Sequence, residues 1–559
     1  MTRYQRILLI LDLSLCLTHI FGGEALTASE IFAKISPSIY TVKVGNGFGS
    51  GVVIGSETII TNCHVIHNGL EIKVSHKEIM LDAALLYANP KTDLCQLDVP
   101  NLEAPVVELG VLDEVTIGSP SFTIGSPKGL DLTISEGIVS SKRERDGHMV
   151  IQTTAAISKG SSGGGLFDNL GRLIGVTTFY VNEGQNLNFA MPADLIIELP
   201  ETSVTSDKVS AKYYQRANFF KTAEKNESAE INAREWVKEY PKHWLGWQYL
   251  GQAQIALNKK REGLIALKEA FRINPKEHTI AFIIGLIYQS QAQYKIALHW
   301  YEKIDENVDR VNISLLKAAC MIDSKQALKA IELLEKLASE YTSPRLNQLL
   351  GLGYSSVNKH KEAIYVLMDN TNDSKFGGEA WLRIGDSQKA LGENFRALRS
   401  YKNSIGFNPE KAEAWEGLGK IAMELNDTED IIKAHTKLLE FDAANPAALY
   451  GLGYGWYRRR DNKKSKHYLN LVVRMRPNHF EAWYLLGQIH AKEKSFDSSI
   501  NAFNNAVKID PDHHECMYKL GLAYGFTKQR DDLVKIYRKL KSAAPELAQK
   551  LKKRFRKRD

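Results

Sequence analysis

Residues 157–168 read ISKGSSGGGLFD, with six small residues in a row from 160 to 165. Such a run ordinarily spells a flexible linker. Here MVIQTTAAI leads into it and LFDNLGRLIGVTTF follows at once, so the cluster interrupts continuous strand-like sequence. A loop in that position can hold a nucleophile. A serine hydroxyl is weak at neutral pH; it needs a base within hydrogen-bond reach, a carboxylate to orient that base, and backbone donors aimed at the developing oxyanion. A Gly-x-Ser-Gly-Gly turn supplies the backbone part, because the first glycine lets its peptide face the oxyanion and the later ones leave space for a substrate backbone. Two serines compete. Ser162 has Gly160 two before it and Gly163 and Gly164 after it, whereas Ser161 would put Lys159 in the first glycine's place. The register selects Ser162, with the N–H groups of Gly160 and Ser162 as oxyanion donors.

For the base, GSGVVIGSETIITNCHVI presents His64 just after a strand whose alternation ends at Thr61. His67 and His76 read as ordinary loop histidines. For the carboxylate, KTDLCQLDV places Asp93 at the start of an apolar strand, where a buried acid requires a partner. Asp82 and Asp98 are its rivals, although Asp82 lies in MLDAALLYA, which simply continues as strand.

The elements that must carry these groups change character near residue 200. Before it, short runs such as SIYTVKV, SGVVIG, ETIIT and RLIGVTTF are broken by Gly, Asn, Pro and Ser, which predicts an all-β barrel or sandwich. The polar segment ETSVTSDKVS, 201–210, reads as a linker. After it, glycine recurs at 251 and 285, then at 351, 385, 419, 453, 487 and 521 in steps of 34 residues, with Ala217 one period earlier. Around those positions stand WQYLGQAQ, WLRIGDSQ, WEGLGKIA, WYLLGQIH and MYKLGLAY, and the units close near a proline, as in RINP, GFNP, RMRP, KIDP and SAAP. This pattern resembles the tetratricopeptide repeat, in which a small residue lets two antiparallel helices approach, bulky residues fill the groove and proline ends the second helix. The resemblance covers 208–545, about ten units. Between 286 and 350 the units are degenerate, with Ala318 or Ala319 in the glycine's place and a slipped step, and FDAANP reads as an insertion. Such arrays stack into a solenoid, and the resemblance implies a protein partner on its concave surface.

The N-terminal half resembles the trypsin-like serine proteases, closest to their HtrA branch. GSGVVI, TNCHVI, TDLCQLDV, TIGSPKGLDLTISEGIVS, IQTTAAISKGSSGGGLF and GRLIGVTTF…NFAMP stand in that family's order over most of 30–198. The resemblance implies two six-stranded β-barrels with the active site between them, His64 and Asp93 from the first and Ser162 from the second. It also implies a substrate pocket with Ala156 at its base and a wall from Thr177, Thr178 and Phe179. With no acid at 156, small or medium apolar side chains are the expected preference. Three departures stand out. HtrA enzymes usually have Asn-Pro-Gly-Asn before Ser-Gly-Gly, where this chain has Ser158, Lys159, Gly160 and Ser161. An aspartate common in their preceding strand is Thr154, and helical repeats stand where most of that family carry PDZ domains.

At 559 residues the chain is too long for one core, and 44% hydrophobic with 25% charged residues is a globular composition. MTRYQR followed by ILLILDLSLCLTHIF, then Gly23 and Ala25 at −3 and −1 spacing, reads as an export leader over 1–25, despite Asp12. The expected layout is leader 1–25, protease domain 26–200, linker 201–210, repeats 211–545 and basic tail 546–559. The net charge of +7 gathers partly in KLKKRFRKRD, which reads as a solvated helix end, with weak contact to a membrane surface as its other use. Nothing else points to nucleic acid. The cysteines, Cys16, Cys63, Cys95, Cys320 and Cys516, form no CxxC pair; a Cys63–Cys95 disulfide is conceivable, but sequence cannot place their Cβ atoms, and the fold is not expected to rest on disulfide staples. No Walker loop, Rossmann fingerprint or HExxH occurs, so neither nucleotide nor metal cofactor is expected. Two readings follow: an exported serine endopeptidase whose repeats recruit substrate, a regulator or further copies of the chain, and an adaptor whose protease half is an inactive binding module.

Overall fold

The computed structural model describes residues 25–555 apart from 127–130, 146 and 181–187, and apart from the side chains at 179 and 180. All but the last residue of the expected leader lies outside the described residues. The chain divides into two compact units, 1–284 and 285–559.

In the first unit, helix α1 (Ala28–Ile35) precedes two closed barrels of antiparallel strands. Strands β1 (Ile39–Val44), β2 (Gly47–Gly55), β3 (Thr58–Asn62), β4 (Ile72–His76), β5 (Ile79–Asn89) and β6 (Leu94–Asp98) close in the order β1-β2-β3-β6-β5-β4. A one-turn helix, α2 (Cys63–Ile66), follows β3 directly. Strands β7 (Pro120–Gly125), β8 (Thr133–Arg145), β9 (His148–Thr153), β10 (Gly165–Phe167), β11 (Leu173–Tyr180) and β12 (Asn188–Pro192) close in the order β10-β11-β12-β9-β8-β7. The β-branched alternation of IYTVKV is what folds as β1, with Ile39, Val42 and Val44 fully buried. One apolar core joins the barrels. Val52, Ile60 and Leu94 of the first meet Phe122, Ile124, Phe167 and Val176 of the second, and Ile31 and Ile35 of α1 pack into the same cluster. Full burial of a side chain such as Phe167 contributes about 2–3 kcal/mol, so the two barrels hold each other in a fixed relation.

The stretch expected as a linker is not a spacer. Short helices α3 (Asp194–Ile197) and α4 (Leu199–Thr202) run into it, and residues 203–205 are bonded to β5. The Asp207 side chain then caps helix α5 (Lys208–Thr222) by accepting from the N–H groups of Val209 and Ser210. The hydroxyls of Thr202, Ser203, Thr205 and Ser210 bond backbone carbonyls, so the polarity of the segment does not mean that it is loose. Helices α6 (Asn226–Glu239), α7 (Trp244–Ala256) and α8 (Lys260–Ile273) follow in the same unit.

From α5 onward, through the second unit, the chain is built of antiparallel helix pairs. At the turn inside each pair of the array stands one left-handed residue: 224, 258, 292, 325, 358, 392, 426, 460, 494 and 528. These ten positions carry the period into the backbone. Two steps shorten to 33, from 292 to 325 and from 325 to 358, which puts Ala318 in the glycine's place, fully buried. The step from 426 to 460 is unbroken, so FDAANP contains no insertion. Close approach is why glycine recurs: a Cβ at Gly487 would lie 2.5 Å from the ring of Phe503, and one at Gly453 2.7 Å from Leu469. The expected basic tail continues as helix Pro545–Phe555, with Ala548 and Leu551 buried; 556–559 lie outside the described residues.

Candidate active site

Antiparallel pairing brings the base and the acid together. The β3–β6 ladder ends at Asn62 and Leu94, and one residue further on the Cys63 N–H donates to the Asp93 carbonyl at 3.0 Å. Asp93 sits in the left-handed region at φ +55°, a strained choice for a non-glycine residue that aspartate tolerates better than most. The Asn62 side-chain amide also donates to that carbonyl at 3.0 Å and helps hold it there. The Asp93 carboxylate is thereby turned towards His64. It accepts from the His64 backbone N–H at 3.0 Å, lies 2.6 Å from ring Nδ1, and accepts from Thr178 Oγ1 at 2.9 Å. An ionised carboxylate only accepts, so Nδ1 carries the proton and Nε2 keeps the lone pair of a base. The His64 side chain is half exposed, beside a cleft of about 460 Å³ that also meets Lys91, Arg145 and Met191.

Cys63 and Cys95 form a disulfide, the pairing that the sequence left open. The pairing of Thr61 with Cys95 on β6 brings Cys63, the first residue of α2 just past the end of β3, beside Cys95, a proximity that only the register reveals. The bond joins the residue before His64 to the residue two after Asp93. Of the rival acids, Asp98 pairs with Lys208 at 2.7 Å, and the Asp82 side chain is exposed, 4.0 Å from Lys73. His76 Nδ1 bonds the Ile39 carbonyl. His67 is largely buried, and that burial holds its pKa down at about 4.

The Ser/Gly cluster folds as two successive tight turns. The Ser161 N–H donates to the Ser158 carbonyl with Gly160 third at φ +101°, and the Gly164 N–H donates to the Ser161 carbonyl with Gly163 third at φ +84°. A positive φ at the third position is the demand of a type II turn, and only glycine meets it without strain. No side chain fits at Gly163 in any case, because its Cβ would lie 2.2 Å from the Ser50 carbonyl. The N–H groups of Ser161, Gly163 and Gly164 are all donated within the fold, while those of Gly160 and Ser162 make no hydrogen bond among the described residues. Strand β2 of the first barrel clamps the loop: the Ser50 N–H donates to the Ser162 carbonyl at 2.8 Å, and Ser50 Oγ donates to the Gly160 carbonyl at 2.9 Å. Ser162 Oγ itself donates to the Thr178 carbonyl at 3.3 Å and makes no hydrogen bond with His64 among the described residues.

The residues expected to wall the pocket lie on β11, whose pairing with β12 is irregular between Thr177 and Phe179. Thr177 is buried with its hydroxyl on the Ser161 and Gly164 carbonyls at 2.7 and 3.1 Å, beneath the serine loop. Thr178, at the irregularity, supports Asp93 through its hydroxyl. Ala156 is exposed and its carbonyl accepts from Thr123 Oγ1 at 2.9 Å; the side chain of Phe179 lies outside the described residues. Sequence reading passed over Ser50 and the Asp93-supporting role of Thr178. The GSG around Ser50 was visible, but only its contact across to residue 160 shows what the hydroxyl does.

Residues 49–176 match the model of the trypsin-like peptidase domain, and residues 450–514 match a tetratricopeptide repeat. The chain carries both. A Synechocystis protein named as the serine protease HhoB is 33% identical over 177 residues, 30% of this chain and 42% of that one. A Pseudomonas putida protein named as a DegP-like periplasmic serine endoprotease is 35% identical over 171 residues, 29% of this chain and 36% of that one. The match thus spans less than half of these curated relatives. Among solved structures, a serine endoprotease from Yersinia pestis aligns with 28% identity and a TM-score of 0.30, over 31% of this chain and 65% of that one. Among the described residues, no helix is long and apolar enough to cross a membrane.

Proposed function

We propose that the chain is an exported serine endopeptidase, with Ser162 as nucleophile, His64 as general base and acid, and Asp93 as the group that fixes the His64 tautomer. The observation that carries this is the set of three bonds on the Asp93 carboxylate, which leaves His64 Nε2 as the available base. Rotation of Ser162 about χ1 takes its hydroxyl from the Thr178 carbonyl towards His64. His64 then accepts the Ser162 proton as Oγ bonds to the substrate carbonyl carbon, and the charge that develops on the carbonyl oxygen meets the undonated N–H groups of Gly160 and Ser162. The intermediate collapses with cleavage of the C–N bond as His64 returns the proton to the leaving amine, and water activated by His64 releases the acyl group. Export is supported by the leader-like first residues and by the periplasmic name of the Pseudomonas putida relative. The absence of an acid at Ala156 supports cleavage after small or medium apolar residues, and the repeats are assigned to binding a substrate or partner protein.

Fluorophosphonate labelling of the mature protein, compared with Ser162→Ala and His64→Ala, tests this reading. Labelling of the wild type alone supports it. A folded wild type that stays unlabelled refutes the catalytic reading and leaves the adaptor, for which the Ser162–Thr178 bond would then be the resting arrangement.

A further inference from the structure

The first barrel does not close its core with its own strands. Val42, Val65, Ile66 and Leu97 share one buried cluster with Tyr214 of α5 and Trp236 of α6, so the first helical repeat and the barrel are a single hydrophobic body. Polar bonds follow the same seam. The Val204 N–H donates to the Ala88 carbonyl at 2.8 Å, Thr205 Oγ1 donates to the Leu86 carbonyl at 2.9 Å, and Lys208 pairs with Asp98 at 2.7 Å.

The seam runs to the segment that carries His64. Helix α2 is one turn of four residues, far too short to be stable by itself, so its orientation must come from what holds its two ends. Its start is held by the Cys63–Cys95 disulfide and the Cys63–Asp93 backbone bond. Its end is held from α5. Gln215, almost wholly buried, donates through Nε2 to the Gly69 and Leu70 carbonyls, each at 3.2 Å. The neighbouring Tyr214 meets His67 edge-on, with ring centroids 6.1 Å apart and planes at 73°. His67 Nε2 is buried with no hydrogen-bond partner among the described residues, so packing, including the Tyr214 ring, holds that end of the imidazole.

We propose that Tyr214 and Gln215 of the first repeat are positioning residues for His64, acting through α2 and the 67–70 turn, and that the working protease therefore extends into the repeat array. This rests on the peptidase reading of the site. The isosteric Gln215→Glu removes both donated bonds and sets a carboxylate against two carbonyls, while Tyr214→Ala removes the ring edge. Tyr214→Phe keeps the edge and serves as the conservative rescue.

The test uses the full-length mature chain and three readouts: the fluorophosphonate inactivation rate, amide hydrogen exchange over 62–70, and the thermal midpoint. Gln215→Glu and Tyr214→Ala are expected to slow inactivation about tenfold and to speed exchange in that segment, with kcat on a peptide falling while KM holds, and Tyr214→Phe is expected to stay within about twofold of wild type. The proposal is overturned if both disruptive variants remain folded and inactivate and exchange at wild-type rates, or if Tyr214→Phe is as damaged as Tyr214→Ala. Should Tyr214→Ala fail to fold, Gln215→Glu carries the decision. Should the wild type not react at all, the peptidase reading falls, and exchange over 62–70 alone decides whether α5 holds the segment.

Discussion

Replacing Ser50 with alanine would remove one hydroxyl from a fully buried position and take from the Gly160 carbonyl the donor that holds it. The Gly160–Ser161 peptide is then tethered only through the turn, and the direction of the Gly160 N–H relative to Ser162 is no longer set from barrel one. Leaving a buried carbonyl without its donor costs about 1–3 kcal/mol, and each 1.36 kcal/mol lost from transition-state stabilisation is roughly tenfold in rate. Part of that cost falls on folding stability and part on aim, so kcat/KM should drop about 10- to 30-fold. That is short of the roughly 10²–10³-fold seen when an oxyanion donor is removed outright, since the N–H is still present. The assay is the second-order rate of fluorophosphonate inactivation beside turnover of an unfolded protein substrate, with Ser50→Thr as the variant that keeps a hydroxyl. A folded Ser50→Ala protein that inactivates within twofold of wild type would refute the reasoning.

Other perturbations address the scaffold. Changing Cys63 and Cys95 together to alanine opens a cross-link spanning 32 residues, for which the chain-entropy relation gives about 3–4 kcal/mol; a denaturant midpoint that barely moves would show that the bond contributes little. His67 stays neutral in the fold down to about pH 4, while the unfolded chain protonates it near 6.5. The folded pKa of this base is depressed, so its contribution is present above pH 6.5 and is lost as pH falls towards 4, by at most about 3 kcal/mol. Burial lowers His243 and His435 as well, so the slope belonging to His67 is the difference between wild type and His67→Gln in unfolding midpoints at pH 7, 5 and 4. In the repeats, Gly487→Ala drives a Cβ into the buried Phe503 ring and should cost about 1–3 kcal/mol, whereas Gly406→Ala, with open space around it in a helix, should be neutral or stabilising by up to about 1 kcal/mol; equal thermal midpoints would contradict the close-approach account.

What could be read from the sequence was what chemistry or periodicity forces to be local. The serine loop announces itself because two tight turns need glycine at fixed offsets, and His64 and Asp93 announce themselves by standing at strand ends. The repeats were legible because one close approach recurs, and where the period slipped, the left-handed turns slipped with it. Contacts between distant residues were not legible. Cys63 to Cys95 is set by register within the first barrel, Ser50 to Gly160 and Thr178 to Asp93 by the packing of one barrel on the other, and no local pattern encodes them. The segment 201–210 misled for a related reason: hydroxyls that bond a strand edge have the same composition as hydroxyls that bond water.

The shared core of barrel one and the first repeat also orders events in time. A chain made from its N-terminus completes the six strands of that barrel at Asp98, yet Tyr214 and Trp236, which close its interior, emerge much later. Until they arrive the barrel has an open apolar face and the α2 turn lacks one of its two supports. Burial of Val65 and Ile66, the two residues that follow His64, is thereby completed only once the first repeat has formed.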